Sequence, residues 1–150
     1  MELLQADAAF LREVFVESFV DTQSTYYQKR IQTVFSFDDG ICYTGYLWDC
    51  LANRKIVSHN FLLNFLQDRT SAIYALWDIH SKERILQDNY WQYPKHTVIS
   101  FFPHEVINVI STLPDDCYFF DNTLSWAAAI THEEIKNGRR LCFLVDKTIA

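Results

Sequence analysis

The sequence has an excess of acidic over basic residues and very few glycines and prolines. Among its 150 residues, 13 are lysine or arginine and 19 are aspartate or glutamate, for a net charge of −6. A protein that binds nucleic acid through its phosphates needs a basic face, so the charge balance argues against that class. Three glycines and three prolines leave no flexible linker and no glycine-rich loop for phosphate binding.

Long hydrophobic runs are also missing. No stretch approaches the roughly 18 uncharged apolar residues that span a membrane, and residues 1–7 are acidic where a signal peptide would be basic. We therefore expect neither a membrane segment nor a signal peptide. Aromatic residues make up 16% of the chain, which excludes a disordered polymer. The length fits a single domain over residues 1–150.

The four cysteines contain no CxxC pair, and the five histidines contain none of the spacings HxH, HExxH or HxxxH. We expect the cysteines to be reduced, mostly buried thiols of a cytoplasmic protein. No metal site and no cofactor site is predicted.

The spacing of apolar residues predicts helices over residues 3–22, 58–68 and 103–111. Ser58 is the predicted N-cap of the second, with Phe61, Leu62, Phe65 and Leu66 on its buried side, and Pro103 is the first residue of the third. Residues 24–36 are compatible with a further helix or with a strand that begins at Thr33. Predicted strands occupy residues 41–48, 71–78, 97–102, 117–120, 125–132 and 141–145, with a hairpin turn over 136–138.

Gly45 falls inside the first predicted strand, which indicates a bulge or close backbone packing. This order of elements predicts an α+β fold. We expect a mixed or mainly antiparallel sheet with three or four helices on one side of it.

Acidic residues cluster in the predicted turns: Asp38, Asp39, Asp115, Asp116, Asp121, Glu133 and Glu134. If the strand order brings these turns to one edge of the sheet, they form a negative patch that would steer a basic protein into contact. The alternative is ordinary turn chemistry, because aspartate favours turns for local reasons.

Tyr90 and Trp91 lie in a polar, loop-like stretch over residues 79–96. Tyrosine and tryptophan are enriched at the centres of protein interfaces, so these two residues are candidate contacts for a partner. Alternatively, the loop folds back and Trp91 covers an edge of the core.

His132 ends a predicted strand, where functional groups often emerge from a sheet. It could act as a base or ligand oriented by Glu133. It could equally be a polar strand end that bonds to a neighbouring backbone group or carboxylate.

The stretch from Leu113 to Val145 resembles the C-terminal part of small, uncharacterised bacterial proteins. The shared pattern is LP-x-D-x-Y-x-x-D over 113–121, then Trp126, then Thr-His-Glu over 131–133, then a strand containing Cys142. The resemblance implies a bacterial origin. Some small bacterial proteins of this size and acidity resemble immunity proteins of toxin systems, including those of contact-dependent inhibition. It transfers no catalytic residue.

These features lead to three functional hypotheses. The first is an immunity-type inhibitor, an antitoxin that binds a basic toxin domain such as a nuclease and blocks its active site. The predicted contacts are Asp38, Asp39, Tyr90, Trp91, Asp115, Asp116, Asp121 and Glu133. The second is a generic interaction module or subunit, and the third is a small hydrolase that uses His132 and Glu133.

Overall fold

The computed structural model describes residues 1–85, 92–135 and 138–148. It is a single compact α+β domain, as the sequence predicts. Within these residues the helices are α1 (Ala8–Phe19), α2 (Thr25–Tyr27), α3 (His59–Gln67) and α4 (Val106–Ile110), and short π or 3₁₀ turns occupy Gln28–Gln32, Leu47–Cys50 and Pro103–Glu105. The strands are β1 (Glu2–Leu4), β2 (Phe35–Phe37), β3 (Gly40–Cys42), β4 (Lys55–Val57), β5 (Ile73–Trp77), β6 (Val98–Phe101), β7 (Cys117–Phe120), β8 (Trp126–Glu134) and β9 (Arg140–Asp146).

Seven strands form one sheet in the order β1-β6-β5-β7-β8-β9-β4, and β2 and β3 form a separate hairpin. Every pairing between the described strands is antiparallel. The expected mainly antiparallel sheet is therefore confirmed.

Helices cover both faces of the large sheet, so the expectation that they lie on one side is wrong. Phe15 and Phe19 of α1 pack with Tyr118 and Phe120 on one face. Leu62 and Leu66 of α3 pack on the other face, together with residues of α4. Polar and apolar residues do not alternate along the central strands, because both faces of these strands are buried. All four residues of β7 are buried, for example.

The first helix is shorter than predicted. Residues 2–4 form the edge strand β1 against β6, and α1 begins only at Ala8. Leu4 therefore belongs to the sheet rather than to the helical stripe. Residues 24–36 contain both of the alternatives, since α2 and a π-helical turn lead into β2.

Helix α3 follows its prediction closely. The Ser58 hydroxyl accepts a hydrogen bond from the Phe61 backbone N–H and caps the helix, as serine commonly does at this position. Leu62 and Leu66 are buried, but Phe61 is 52% exposed. Phe61 was thus wrongly assigned to the buried side, because the apolar stripe of the helix is wider than the face that contacts the sheet.

The predicted strand over residues 41–48 is only partly a strand. Ile41 and Cys42 belong to β3, and the chain then leads into the 3₁₀ segment Leu47–Cys50. The close packing expected at Gly45 is present. A Cβ atom placed there would lie 2.5 Å from the Cβ of Arg30 and 3.0 Å from the hydroxyl of Tyr26. The short edge strand β4, which pairs with β9, was not predicted.

All four cysteines are buried and free, in agreement with the expectation of reduced thiols. In the described residues, no helix has the length and apolar character needed to cross a membrane.

Candidate functional site

One end of the large sheet gathers the polar side chains that carry chemistry. Trp77, the last residue of β5, lies opposite Cys117, the first residue of β7. Cys117 in turn lies opposite Ile130 of β8. This register places Asp78, Asp116 and His132 at the same end of three neighbouring strands, and we call this region the sheet end.

Asp116 holds His132 by its backbone and by its ring. The Asp116 Oδ1 atom lies 2.9 Å from the backbone nitrogen of His132 and 2.9 Å from its Nδ1. The same oxygen accepts a hydrogen bond from the Trp48 indole N–H at 3.0 Å. The Asp116 side chain is 1% exposed and that of His132 is 40% exposed. A buried carboxylate therefore fixes an imidazole that solvent can reach.

A β-bulge helps to place the His132 ring. Between Ile130 and Glu134 the register of β8 against β9 shifts, so that β8 contains extra residues. The Thr131 hydroxyl donates to the Leu141 carbonyl at 2.9 Å and accepts from the Glu133 N–H at 3.1 Å. Bulges of this kind reorient side chains at strand ends and are common beside functional sites.

Asp78 is a second carboxyl group at the sheet end, and it is fully buried. It accepts hydrogen bonds from the Tyr118 hydroxyl at 2.7 Å, the Tyr43 hydroxyl at 3.0 Å and the Leu47 N–H at 3.0 Å. Burial, followed by the nearby charge of Asp116, raises the pKa of Asp78 to about 8. The raised pKa favours the protonated form of Asp78, which limits the repulsion between the two carboxyl groups.

Aromatic and imidazole rings fill the space around these carboxyl groups. The Tyr46 ring lies 5.0 Å from the ring of His132 and 4.8 Å from that of His80, between centroids. His80 Nε2 is 2.5 Å from the Gly45 carbonyl oxygen. Its Nδ1 is buried and makes no hydrogen bond within the structure described. Burial lowers the pKa of His80, so this ring is neutral.

The thiols near this region are poor nucleophiles. Burial is the main cause that raises the pKa of Cys117 well above its usual value, and the charge of Asp116 adds to it. Burial also raises the pKa of Cys142 to about 11. Because the thiolate is the reactive form, neither residue is suited to attack a substrate at neutral pH.

The predicted acidic contacts divide by position. Asp38 and Glu133 are exposed. Glu133 directly follows His132, whereas Asp38 precedes Asp39 in the turn between β2 and β3. Asp115 is half-buried and forms an ion pair with Arg140. Asp39 forms an ion pair with Lys95 and accepts a hydrogen bond from the Lys82 N–H. The Lys82 N–H and then Lys95 hold the pKa of Asp39 well below its usual range.

Two of the predicted contacts are not surface groups. Asp116 serves His132 and Trp48, as described above. Asp121 is 4% exposed and accepts a hydrogen bond from the Trp126 indole N–H at 2.9 Å. Asp121 follows β7, so it lies at the opposite end of the sheet from Asp116. The strand order thus places the turn with Asp115 and Asp116 and the strand end with Glu133 at one end of the large sheet, and Asp121 at the other.

The predicted aromatic contacts Tyr90 and Trp91 lie outside the described residues. Their neighbour Tyr93 packs inward, with its ring 5.9 Å from that of Trp77 between centroids. Its hydroxyl donates to Thr112 Oγ1 at 2.8 Å.

Of the two interpretations of His132, the bond to a neighbouring carboxylate is present, with Asp116 as the partner, and orientation by Glu133 is not. Glu133 is exposed, and Asp116 is the residue that orients the imidazole. Sequence reasoning missed Asp78, Tyr43 and Tyr118. A charged residue directly after the apolar run of β5 was the available signal for Asp78.

Within residues 1–85, 92–135 and 138–148, no three His, Cys, Asp or Glu side chains are arranged to hold a metal ion. Comparison with protein-family models, with curated proteins and with solved structures finds no match to this chain.

Proposed function

We propose that this protein is an immunity-type inhibitor that binds a bacterial toxin domain in the cytoplasm and blocks its active site. The observation that carries the proposal is the composition of the sheet end. There, the exposed carboxylate of Glu133 lies at the same end of the sheet as the Asp115 ion pair and the rigid His132 ring. Asp38 is also exposed, and its neighbour Asp39 bonds to Ser81 and Lys82, which follow β5.

Charge supports this assignment. The chain carries −6, and an acidic protein is attracted to a basic groove before contact, which speeds association. A nuclease toxin presents such a groove to its substrate. Carboxylates of the inhibitor would then occupy the positions that nucleic-acid phosphates take.

Rigidity at the sheet end also supports it. The Asp116 carboxylate bonds to both the backbone and the ring of His132, and the Tyr46 ring packs against that imidazole. A side chain that is already fixed loses little conformational entropy when a partner binds. The same network would therefore give a stable contact point without any chemistry of its own.

The test is co-expression with the toxin domain encoded by the gene directly upstream. Expression of that domain alone should arrest bacterial growth, and co-expression of this protein should restore it. The double variant Asp38→Lys/Glu133→Lys should restore growth less well. Asp68→Lys, at the end of α3 and beside the start of β5, is the control for a charge change at the opposite end of the sheet.

Continued arrest in the presence of the folded wild-type protein would contradict the proposal. It would favour instead a generic interaction module or subunit, because such a protein has no toxin to neutralise.

A hydrolase is the second candidate, and the Asp116–His132 pair is the observation that favours it. A carboxylate that holds Nδ1 leaves Nε2 available as a general base. We would measure hydrolysis of p-nitrophenyl acetate by the wild type and by His132→Ala. Activity that persists in His132→Ala would exclude this role.

A further inference from the structure

Helix α1 exposes a face that is both aromatic and acidic. Phe10 is 66% exposed, more than any other large hydrophobic side chain in the described residues except Ile56. Glu13 and Glu17 are also exposed. Spacings of three and four residues place Phe10, Glu13 and Glu17 on one side of a helix.

A groove runs beside this face. It has a volume of about 540 Å³. One wall is formed by α1, with Glu13, Val16 and Glu17, and the other wall contains Tyr27 and His96. The groove is large enough to accept one or two side chains of a partner.

Arg12, the one basic side chain of α1, also lines the groove, and two backbone carbonyls hold its guanidinium. Arg12 donates from Nη1 to the Trp77 carbonyl at 2.7 Å and from Nη2 to the Lys95 carbonyl at 3.4 Å. Burial, and then the charges of Arg12 and Lys95, lower the pKa of His96, so the His96 ring on the opposite wall is neutral. The free carboxylates along the groove are those of Glu13 and Glu17.

Neither glutamate has an ion-pair partner among the residues that the structure describes. Like charges four residues apart on a helix repel each other and destabilise it slightly. A cation from a partner that lies on the exposed side of Glu13 and Glu17 would remove that repulsion.

The groove continues towards the sheet end. His96 lines this groove and also a cavity of about 510 Å³ that includes Asp39, Lys82 and Lys95. The surface beside α1 and the surface around Asp39 are therefore adjacent, and one partner could cover both.

We propose that the face of α1 formed by Phe10, Glu13 and Glu17, together with its groove, is a docking surface for a basic protein segment of the toxin. Phe10 is the apolar anchor, and the two glutamates bind lysine or arginine side chains of that segment. This inference rests on the proposed function, because it assigns the toxin as the occupant.

The test is the affinity of the purified full chain for the purified upstream toxin domain, measured by calorimetry at two salt concentrations. Glu13→Lys/Glu17→Lys should weaken binding by about tenfold or more and reduce the salt dependence. Phe10→Ala should weaken binding about tenfold. Circular dichroism and thermal unfolding of each variant establish that it is folded.

Two control variants match these changes. Phe61→Ala removes a phenylalanine that is 52% exposed on α3, across the sheet from α1, and Asp68→Lys reverses one charge at the opposite end of the sheet. Both should bind as the wild type does.

Wild-type affinity in the α1 variants would overturn this inference, as would an equal loss in the controls. In both cases the wild type still binds, and the proposed function stands. If the wild type itself does not bind, both proposals fail.

Discussion

The Asp116 Oδ1 atom lies 2.9 Å from both the backbone nitrogen and the Nδ1 atom of His132. One buried oxygen thus fixes both the position and the ring orientation of His132. The Trp48 indole shares this oxygen, which couples the sheet end to the segment that follows β3. The stability of this end should therefore depend strongly on Asp116.

Asp116→Ala should destabilise the protein by about 1–3 kcal/mol, because it leaves the buried Trp48 indole N–H without an acceptor. The neighbouring Asp115→Ala removes only a partly exposed ion pair with Arg140 and should cost less than about 1 kcal/mol. Urea unfolding of the two variants measures the difference. Equal destabilisation would contradict the role assigned to Asp116.

Asp78→Asn should change how stability depends on pH. The folded protein keeps the Asp78 proton up to a pKa of about 8, whereas an unfolded chain releases it near a pKa of about 3.9. Between these values the folded state binds more protons, so this group lowers stability as pH rises.

The Asn variant has no such proton. Its free energy of unfolding, relative to the wild type, should therefore increase from pH 5 to pH 8. Urea titrations at the two pH values provide the measurement. Profiles that run parallel would show that Asp78 does not titrate in this window.

Gly45→Ala should destabilise the protein by about 1–3 kcal/mol through overpacking. The added methyl group would lie 2.5 Å from the Cβ of Arg30, an atom fixed to the backbone that cannot rotate away. Thermal unfolding checks this. Gly40→Ala has open space around the new Cβ atom but a backbone φ of +115°, so any loss there arises from backbone strain rather than contact.

Glu13→Lys should have opposite effects on stability and on binding. It replaces the like-charge contact with Glu17 by an attractive one, which should stabilise α1 by about 0.5 kcal/mol at low salt. The same change should weaken binding to the toxin domain. Chemical unfolding and calorimetry on one preparation give both values. A parallel loss of stability and affinity would indicate a folding defect instead of a lost contact.

The sequence was sufficient for elements with strong local signals. Ser58 caps α3 as predicted, and the apolar runs that became β5, β7 and β8 are strands. It was insufficient where tertiary contacts decide. Leu4 pairs with Val98 in a sheet whose partner strand lies more than ninety positions further along the chain, so helical spacing alone misassigned it. Double-sided burial of the sheet likewise depends on the packing of α1 on one face and of α3 and α4 on the other.

The candidate site was predictable only in part. His132 could be singled out because it ends an apolar strand, but its partner depends on the pairing of β7 with β8. That pairing places Asp116 beside His132, although sixteen residues separate them. Adjacency in sequence offered only Glu133 by name. The sequence predicts that Asp116, Asp121 and Asp38 are all turn residues. Only the fold shows that Asp116 and Asp121 are buried and that Asp38 is exposed.

The most direct test of the inhibitor account is a titration of the purified upstream toxin domain, with its own enzymatic activity as the readout, by the purified protein. The account predicts that activity falls linearly and disappears at an equimolar ratio, with a weaker effect of Glu13→Lys/Glu17→Lys at the same concentrations. Full toxin activity in a large molar excess of the folded wild-type protein would contradict it.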